Sequence, residues 1–212
     1  PAFYIDRYEV TVADYAAFLN HGGRGEHYHE RMQNPELCGL VRTGPGHYVA
    51  LPGRRDHPIV FASQPSAAAY ARSLGKSLPT EAMWERAARG DAGRTYPWGE
   101  APISPELANY DFHYGGTLPV GSLPAGATPE GVYDLAGNVK EWTRSTFHPY
   151  PGGVEYEHWF NFPFFTEPFP EKRWNPVNRG GSWTAQERTM PSAYRDSHAM
   201  HNSGFRCVRL AD

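Results

Sequence analysis

Residues Gly131–Trp142 have the sequence GVYDLAGNVKEW, and this stretch decides how the rest of the chain is interpreted. Its two glycines argue against a helix, because each costs roughly 1 kcal/mol in a helix interior, and they would also weaken a central strand. The spacing predicts a looped backbone that directs carbonyl and carboxylate oxygens towards one point. Asp134 and Glu141 are hard oxygen donors of the kind from which calcium sites are built.

The stretch resembles the core motif of the formylglycine-generating-enzyme (sulfatase-modifying factor) superfamily, a variant of the C-type-lectin-like fold. Three further stretches resemble motifs of the same superfamily in the same order; they are Phe3–Thr11, Leu78–Glu85, and Arg179–Trp183 with Gly204–Arg206. The resemblance implies one domain over residues 1–212. The implied fold is α+β and C-type-lectin-like, with short helices, a twisted antiparallel sheet and long ordered loops. A fold does not by itself fix a function.

Charge and composition argue against several classes of protein. The 20 Lys and Arg residues nearly balance the 23 Asp and Glu residues, and no run of five like charges occurs. Neither nucleic acid nor an anionic membrane is therefore expected as the main partner. No apolar stretch approaches the ~20 residues of a membrane span, and the opening Pro1-Ala2-Phe3 shows no signal-peptide pattern. The 22 glycines, 20 prolines and 14% aromatic residues indicate a loop-rich fold held by aromatic packing.

Local patterns predict a first strand, a second strand at residues 57–61 and three short helices. Residues 3–10 alternate apolar and polar side chains, as a half-buried strand does. Hydroxyl side chains suited to N-caps precede each helical pattern, and glycines follow it. The predicted helices begin after Thr11, Ser63 and Thr80 and end near Asn20, Gly75 and Gly90.

Two insertions are predicted, at about residues 21–55 and 146–178. The first is interpreted as an irregular surface segment with one short strand at His47–Leu51. The second combines prolines with many aromatic residues, Trp159 among them. It is interpreted either as a loop packed on its own side chains or as an aromatic wall over a binding cleft that could stack sugar-bearing or ring-bearing ligands.

Carried over by position, the resemblance implies a calcium site. Its ligands would be the side chains of Asp134 and Glu141 and the carbonyl oxygens of Gly137 and Val139. The alternative is that Asp134 caps a turn and Glu141 pairs with a nearby arginine. Bound calcium would stabilise the loops and take no part in a chemical step.

The superfamily's other calcium site begins at an asparagine followed by an apolar residue. Asn109 and Tyr110 match that start, but no downstream acidic ligand is clearly placed. Oxygen-rich calcium sites are most easily filled outside the cytosol. Because calcium is the expected cofactor, a periplasmic or extracellular location is favoured.

Redox metals are not expected from the same resemblance. The namesake oxidase holds copper(I) with two cysteines shortly after the Arg-Gly-Gly-Ser-aromatic motif, and residues 184–190 contain no cysteine. Formylglycine generation by that mechanism is therefore not expected. A second branch makes sulfur–carbon bonds in ergothioneine-type biosynthesis with an upstream iron-binding helical domain, which this sequence lacks. Cys38 and Cys207 form either one disulfide or two buried free thiols, and their spacing does not decide between them.

The ligand face of lectin-type folds lies in the loops before the last strand, which here are residues 182–202. Candidate ligand-binding residues are Trp183, Tyr194, Arg195, His198 and His201, with Trp159 from the second insertion. For Trp183 and Arg195 the alternative is core packing with a buried ion pair.

Two functions remain open. The first is a calcium-stabilised domain without the copper-binding cysteines, which binds a small molecule, glycan or protein through loops 146–202. The alternative is an oxidoreductase or other tailoring enzyme of the superfamily, such as those that complete a siderophore chromophore by oxidation. Its acid, base or metal-binding groups would be His198, His201 and Glu187 or Asp196.

Overall fold

The regular structure consists of short elements joined by ordered loops. The computed structural model describes residues 2–22, 27–28, 32, 34–148, 176–197 and 202–211. The helices are α1 (Val12–Asn20), α2 (Pro35–Cys38), α3 (Gln64–Ser73) and α4 (Glu81–Arg89). The strands are β1 (Phe3–Ile5), β2 (Leu40–Gly44), β3 (His47–Ala50), β4 (Lys140–Thr146), β5 (Pro176–Arg179), β6 (Ser203–Gly204) and β7 (Val208–Leu210). The predicted mixed fold with short helices is confirmed.

The described strands form three small sheets and not one continuous sheet. Strands β1 and β7 pair antiparallel, so that Phe3 lies opposite Leu210, and β2 and β3 form an antiparallel hairpin. In the third sheet β4 is central, antiparallel to β5 and parallel to β6. The parallel pair places Glu141 opposite Gly204. The motif at residues 131–142 is therefore in direct contact with the C-terminal motif.

The three helices predicted from their caps are confirmed. The Thr11 side chain accepts a hydrogen bond from Asp14 N, and the Asp14 carboxylate accepts one from Thr11 N, which is a complete capping box at the start of α1. Ser63 and Thr80 accept from backbone N–H groups at the starts of α3 and α4. These short polar side chains satisfy donors that have no partner inside a helix.

The strand predicted at His47–Leu51 is confirmed as β3, whereas the strands predicted at residues 3–10 and 57–61 and the rest of the first insertion differ from the structure. Regular strand structure covers only Phe3–Ile5 of residues 3–10, and residues 57–61 contribute a single bridge, between Thr11 and Pro58. The segment 21–55, predicted with one strand, carries α2 and the β2–β3 hairpin. That hairpin is fixed to α1, because the amide of Asn20 donates to Tyr48 O and accepts from Tyr48 N, both at 2.8 Å.

The core is aromatic, as the composition indicates. Tyr15, Tyr70 and Phe205 are buried and contact one another, with ring centroids 5.3–6.3 Å apart. Cys38 and Cys207 are both buried free thiols, which decides between the two alternatives for the cysteines. Among the described residues, no helix is both long and apolar enough to span a membrane.

Candidate functional site

Strand β4 supplies side chains to two different environments, because successive residues of a strand point to opposite faces. Lys140 lies on the wall of an open cleft. Glu141 is fully buried, within hydrogen-bonding distance of Trp84 and Arg206. We call the first place the Lys140 cleft. The second is the Glu141 cluster, which comprises Glu9, Trp84, Asp134, Glu141 and Arg206.

The Lys140 cleft has a volume of about 420 Å³, within the range of roughly 300–1,000 Å³ that is usual for small-molecule sites. It lies between β4, β5 and the loop that follows Gly181. Its wall is mainly polar and includes Lys140, Asn178, Thr184, Arg188, Tyr194, Asp196 and Asn202. A ligand that fits this cleft must be small and able to form several hydrogen bonds.

An ion pair between Lys140 and Asp196 forms part of the cleft wall. The Lys140 ammonium donates to Asp196 Oδ2, and the two side chains are only 10% and 12% exposed. Backbone bonds fix the aspartate, since Asp196 N donates to Asn178 O at 3.0 Å and Asn178 N donates to Asp196 O at 2.7 Å. A positive and a negative group are therefore held side by side at the cleft.

Tyr194 adds a donor to the same wall, and Asn202 holds the wall together. The Asn202 amide nitrogen donates to Ser182 Oγ at 2.6 Å and to Thr184 Oγ1 at 2.8 Å. Its Oδ1 is buried and has no hydrogen-bond partner within the described part of the chain. Burial, with the neighbouring Asp196 carboxylate, raises the pKa of Tyr194, so its phenol stays protonated as a donor.

In the Glu141 cluster, both oxygens of the Glu141 carboxylate already have donors. Oε1 accepts from Arg206 Nη2 at 2.6 Å, while Oε2 accepts from Arg206 Nε and from Trp84 Nε1, each at 2.8 Å. Glu141 and Arg206 are both fully buried. The predicted alternative, pairing of Glu141 with an arginine, describes these contacts.

The other predicted calcium ligands also have contacts of their own. Asp134 has a positive φ of 58°, and its Oδ2 accepts from Gly121 N at 2.6 Å, which is the predicted turn-capping alternative. Gly137 has φ 83°, and an added Cβ there would collide with the carbonyl of Asn109. Val139 N donates to the buried carboxylate of Glu9 at 3.2 Å.

Asn109 and Tyr110, the predicted start of a second calcium site, hold loops together. The Asn109 amide nitrogen donates to Gly116 O at 2.8 Å and to Asn138 Oδ1 at 3.2 Å. Its Oδ1 is buried and without a hydrogen-bond partner among the described residues. The carbonyl of Tyr110 accepts from His113 N at 3.0 Å. None of these contacts brings a carboxylate to Asn109.

Sequence reasoning missed Glu9, which is buried and accepts a 2.7 Å hydrogen bond from the Asn138 amide. Burial raises the pKa of Glu9 well above its ordinary value, and the nearby carboxylates of Asp134 and Glu141 raise it further. The only feature of the sequence that could have indicated a buried Glu9 was its place between Tyr8 and Val10 in the first motif. Lys140, Asn178 and Asn202 were missed as well, because their side chains meet only in the folded chain.

The remaining predicted ligand-binding and catalytic residues do not lie together in one site. Trp183 is half-buried and packs against the main core, and Glu187 is exposed at the start of a 3₁₀ turn, Glu187–Thr189. Arg195 forms a double hydrogen bond with Glu81, at 2.5 and 2.8 Å, which is the ion pair of the predicted alternative. His198, His201 and Trp159 lie outside the described residues. Of the predicted ligand-binding residues, Tyr194 lines the Lys140 cleft.

Comparison with known proteins establishes the family. A family model described as the sulfatase-modifying factor enzyme 1-like domain matches residues 1–211. The chain belongs to this family. Among curated relatives of this sulfatase-modifying-factor-like chain, the hercynine oxygenase of Mycobacterium tuberculosis (strain ATCC 25618 / H37Rv) is 34% identical over 232 residues, which cover 100% of this chain and 52% of the relative. The chain thus spans about half the length of that relative.

Two further comparisons agree with this assignment. The formylglycine-generating enzyme of Thermomonospora curvata is 31% identical over 263 residues, which cover 97% of the chain and 81% of the relative. The solved structure of PvdO from Pseudomonas aeruginosa has a TM-score of 0.67 at 25% identity and covers 99% of the chain and 80% of that structure.

The described residues of this sulfatase-modifying-factor-like chain do not fit the metals of the family. No three His, Cys, Asp or Glu side chains among them are grouped so as to hold a metal ion. Calcium at residues 131–142 would have to compete with the Arg206 guanidinium for Glu141. Residues 184–190 contain no cysteine that could hold copper(I).

Proposed function

We propose that this chain is the substrate-binding part of an oxidative tailoring enzyme and that it holds a small polar substrate in the Lys140 cleft. The observation that carries the proposal is the cleft itself, with the Lys140–Asp196 ion pair on its wall. The oxidative direction is supported by the hercynine oxygenase relative, which is similar over the full length of the chain.

The wall residues have complementary roles under this proposal. Lys140 and Asp196 offer a cation and an anion side by side, so a substrate with opposite charges can align with both. A substrate that separates the pair can exchange a proton with either group. The protonated Tyr194 phenol donates to a substrate oxygen.

The proposal assigns substrate binding and proton handling to the described residues. It places the oxidising centre elsewhere in the working enzyme, because the described side chains provide no set of metal ligands. The length of the relative, about twice that of the matched region, supports this division of labour.

Titration calorimetry with hercynine as the probe and histidine as the comparison ligand tests the binding step. We expect saturable binding that Lys140→Met weakens by at least about tenfold, the effect of losing one hydrogen bond to a charged group. Arg144→Met is the matched control, because Arg144 lies on the same strand β4 but is exposed and outside the cleft. Circular dichroism establishes that each variant is folded. Equal binding by the wild type and Lys140→Met would contradict the proposal.

The second candidate is a ligand-binding domain without catalysis, which binds a small molecule, glycan or protein through loops 146–202. Arg195 favours it, since it lies outside the Lys140 cleft, on the wall of a second surface cavity with Glu81 and His148. Elemental analysis and oxygen uptake of the whole working protein with bound hercynine separate the two, because the proposed oxidising centre lies outside the described residues. Stoichiometric iron or copper with oxygen uptake supports the enzyme, whereas binding with neither supports the second candidate.

A further inference from the structure

We propose that Arg206 is the internal cation of the 131–142 motif and takes the role that the family resemblance gives to calcium. The inference is independent of the proposed function, since it concerns the Glu141 cluster and not the Lys140 cleft. It rests on the contacts of one fully buried guanidinium.

All five N–H donors of Arg206 have oxygen acceptors. Two acceptors are the oxygens of Glu141, at 2.6 and 2.8 Å. The other three are backbone carbonyls, those of Tyr133 at 2.7 Å, Asp6 at 3.1 Å and Arg7 at 3.2 Å. The guanidinium therefore collects one carboxylate and three carbonyls around a single positive charge.

This donor set has the composition of a calcium shell, in which carboxylate and carbonyl oxygens converge on one cation. A guanidinium satisfies such a set through a planar fork of N–H groups, which matches a carboxylate in a bidentate manner. The contacts join three parts of the chain, which are the segment after β1, the 131–142 motif and the strand region before β7. Calcium was predicted to join loops in the same way.

The two cations compete for the Glu141 carboxylate. Calcium binds carboxylate oxygens at about 2.3–2.6 Å, and the Glu141 oxygens are already bonded by Arg206 and by the Trp84 indole. Displacing Arg206 would leave a buried guanidinium without its counter-charge, which is strongly unfavourable. Arg206 therefore makes the motif independent of divalent ions.

The first test compares thermal unfolding of the wild type in excess EDTA and in millimolar CaCl₂. We expect the same Tm in both, whereas a calcium site filled far above its Kd would raise Tm by several degrees. Terbium luminescence excited through tryptophan gives a second reading, because Trp84 contacts Glu141 directly. We expect no saturable terbium signal.

The variant Glu141→Gln shows whether a calcium-induced rise in Tm depends on the 131–142 motif. A rise in Tm with calcium that Glu141→Gln abolishes would overturn the proposal. A rise that persists in Glu141→Gln would place calcium at another site and would support Arg206 as the cation here.

The role of Arg206 itself is tested with Arg206→Lys, which keeps the charge but loses the fork, and with Arg206→Met. We expect a fall in Tm for Arg206→Lys and a larger one, or failure to fold, for Arg206→Met. Arg209→Met is the matched control, because Arg209 is exposed on neighbouring β7. If the Tm of Arg206→Lys equals that of Arg209→Met, the proposal is wrong. Arg206→Lys is the deciding variant if Arg206→Met does not fold.

Discussion

The indole Nε1 of Trp84 donates a 2.8 Å hydrogen bond to Oε2 of Glu141, a residue 57 positions later in the sequence. Both side chains are fully buried. The bond joins α4 to β4 and so connects two motifs that the sequence presents as separate stretches. It also satisfies part of a buried carboxylate, which would otherwise be costly.

Trp84→Phe should destabilise the protein by about 2 kcal/mol or more, because it removes one donor from a buried charged acceptor. Urea unfolding followed by circular dichroism measures the loss. Trp98→Phe is the control, since Trp98 Nε1 donates to Ala101 O in an exposed position. We expect that control to lose less than about 1 kcal/mol. Similar losses of unfolding free energy for both variants would show that the Trp84–Glu141 hydrogen bond contributes no more stability than an exposed one.

Lys140→Met should cost about 3 kcal/mol of unfolding free energy, because it removes the Lys140 ammonium from the nearly buried Asp196 carboxylate. The double variant Lys140→Met with Asp196→Asn should recover part of that loss, since it removes the carboxylate charge as well. A double-mutant cycle from urea unfolding gives the coupling energy of the pair. Additive losses would mean that the two side chains do not interact in solution.

Gly137→Ala should destabilise the protein by more than about 1 kcal/mol, because the residue has positive φ and an added Cβ would meet the Asn109 carbonyl. Gly116→Ala is the matched control, as nothing lies within 4 Å of a Cβ at that position. Thermal unfolding of the two variants side by side makes the comparison. Equal Tm values would contradict the close approach of the two loops.

Cys38 and Cys207 should be unreactive in the folded protein. Burial raises the pKa of both thiols, and that of Cys207 rises to about 12 from its ordinary value of 9.0. A thiol titration at pH 8 should therefore find no reactive group in native protein and two in denaturant.

The same pKa shift sets a pH dependence. The stability gained from the protonated Cys207 thiol is fully present below about pH 9 and is lost as the pH rises towards about 12, because only the unfolded thiol ionises in between. Rapid labelling of the native protein at pH 8 would contradict the buried position. Cys38→Ala assigns any label to one of the two residues.

The helix starts could be predicted from the sequence, because each depends on a hydrogen bond between one side chain and a backbone N–H group close by in the chain. Thr11, Ser63 and Thr80 fix the starts of three helices because the hydroxyl and the amides it caps are three residues apart or fewer. The family motifs were likewise visible as short stretches. Those parts of the fold could be predicted from the sequence.

The candidate site could not be predicted in the same way, since its partners are far apart in sequence. Asp196 meets Lys140 across 56 positions, and Arg206 meets Glu141 across 65. The 131–142 motif gives the oxygens of Glu141 without showing whether a metal ion or a guanidinium neutralises them. Only the folded arrangement distinguishes the two.

The Arg206 contacts also impose an order of events during synthesis. Asp6 and Arg206 are 200 positions apart, so the guanidinium reaches the early segment and Glu141 only after nearly all of these residues have left the ribosome. Until then the Glu141 carboxylate has no cation to accompany it into the interior, and the emerging polypeptide keeps that region hydrated. Completion of this domain's tertiary structure is thereby deferred until Arg206 has been synthesised, and a product that stops short of Arg206 lacks the internal cation and leaves the region open to quality-control proteases.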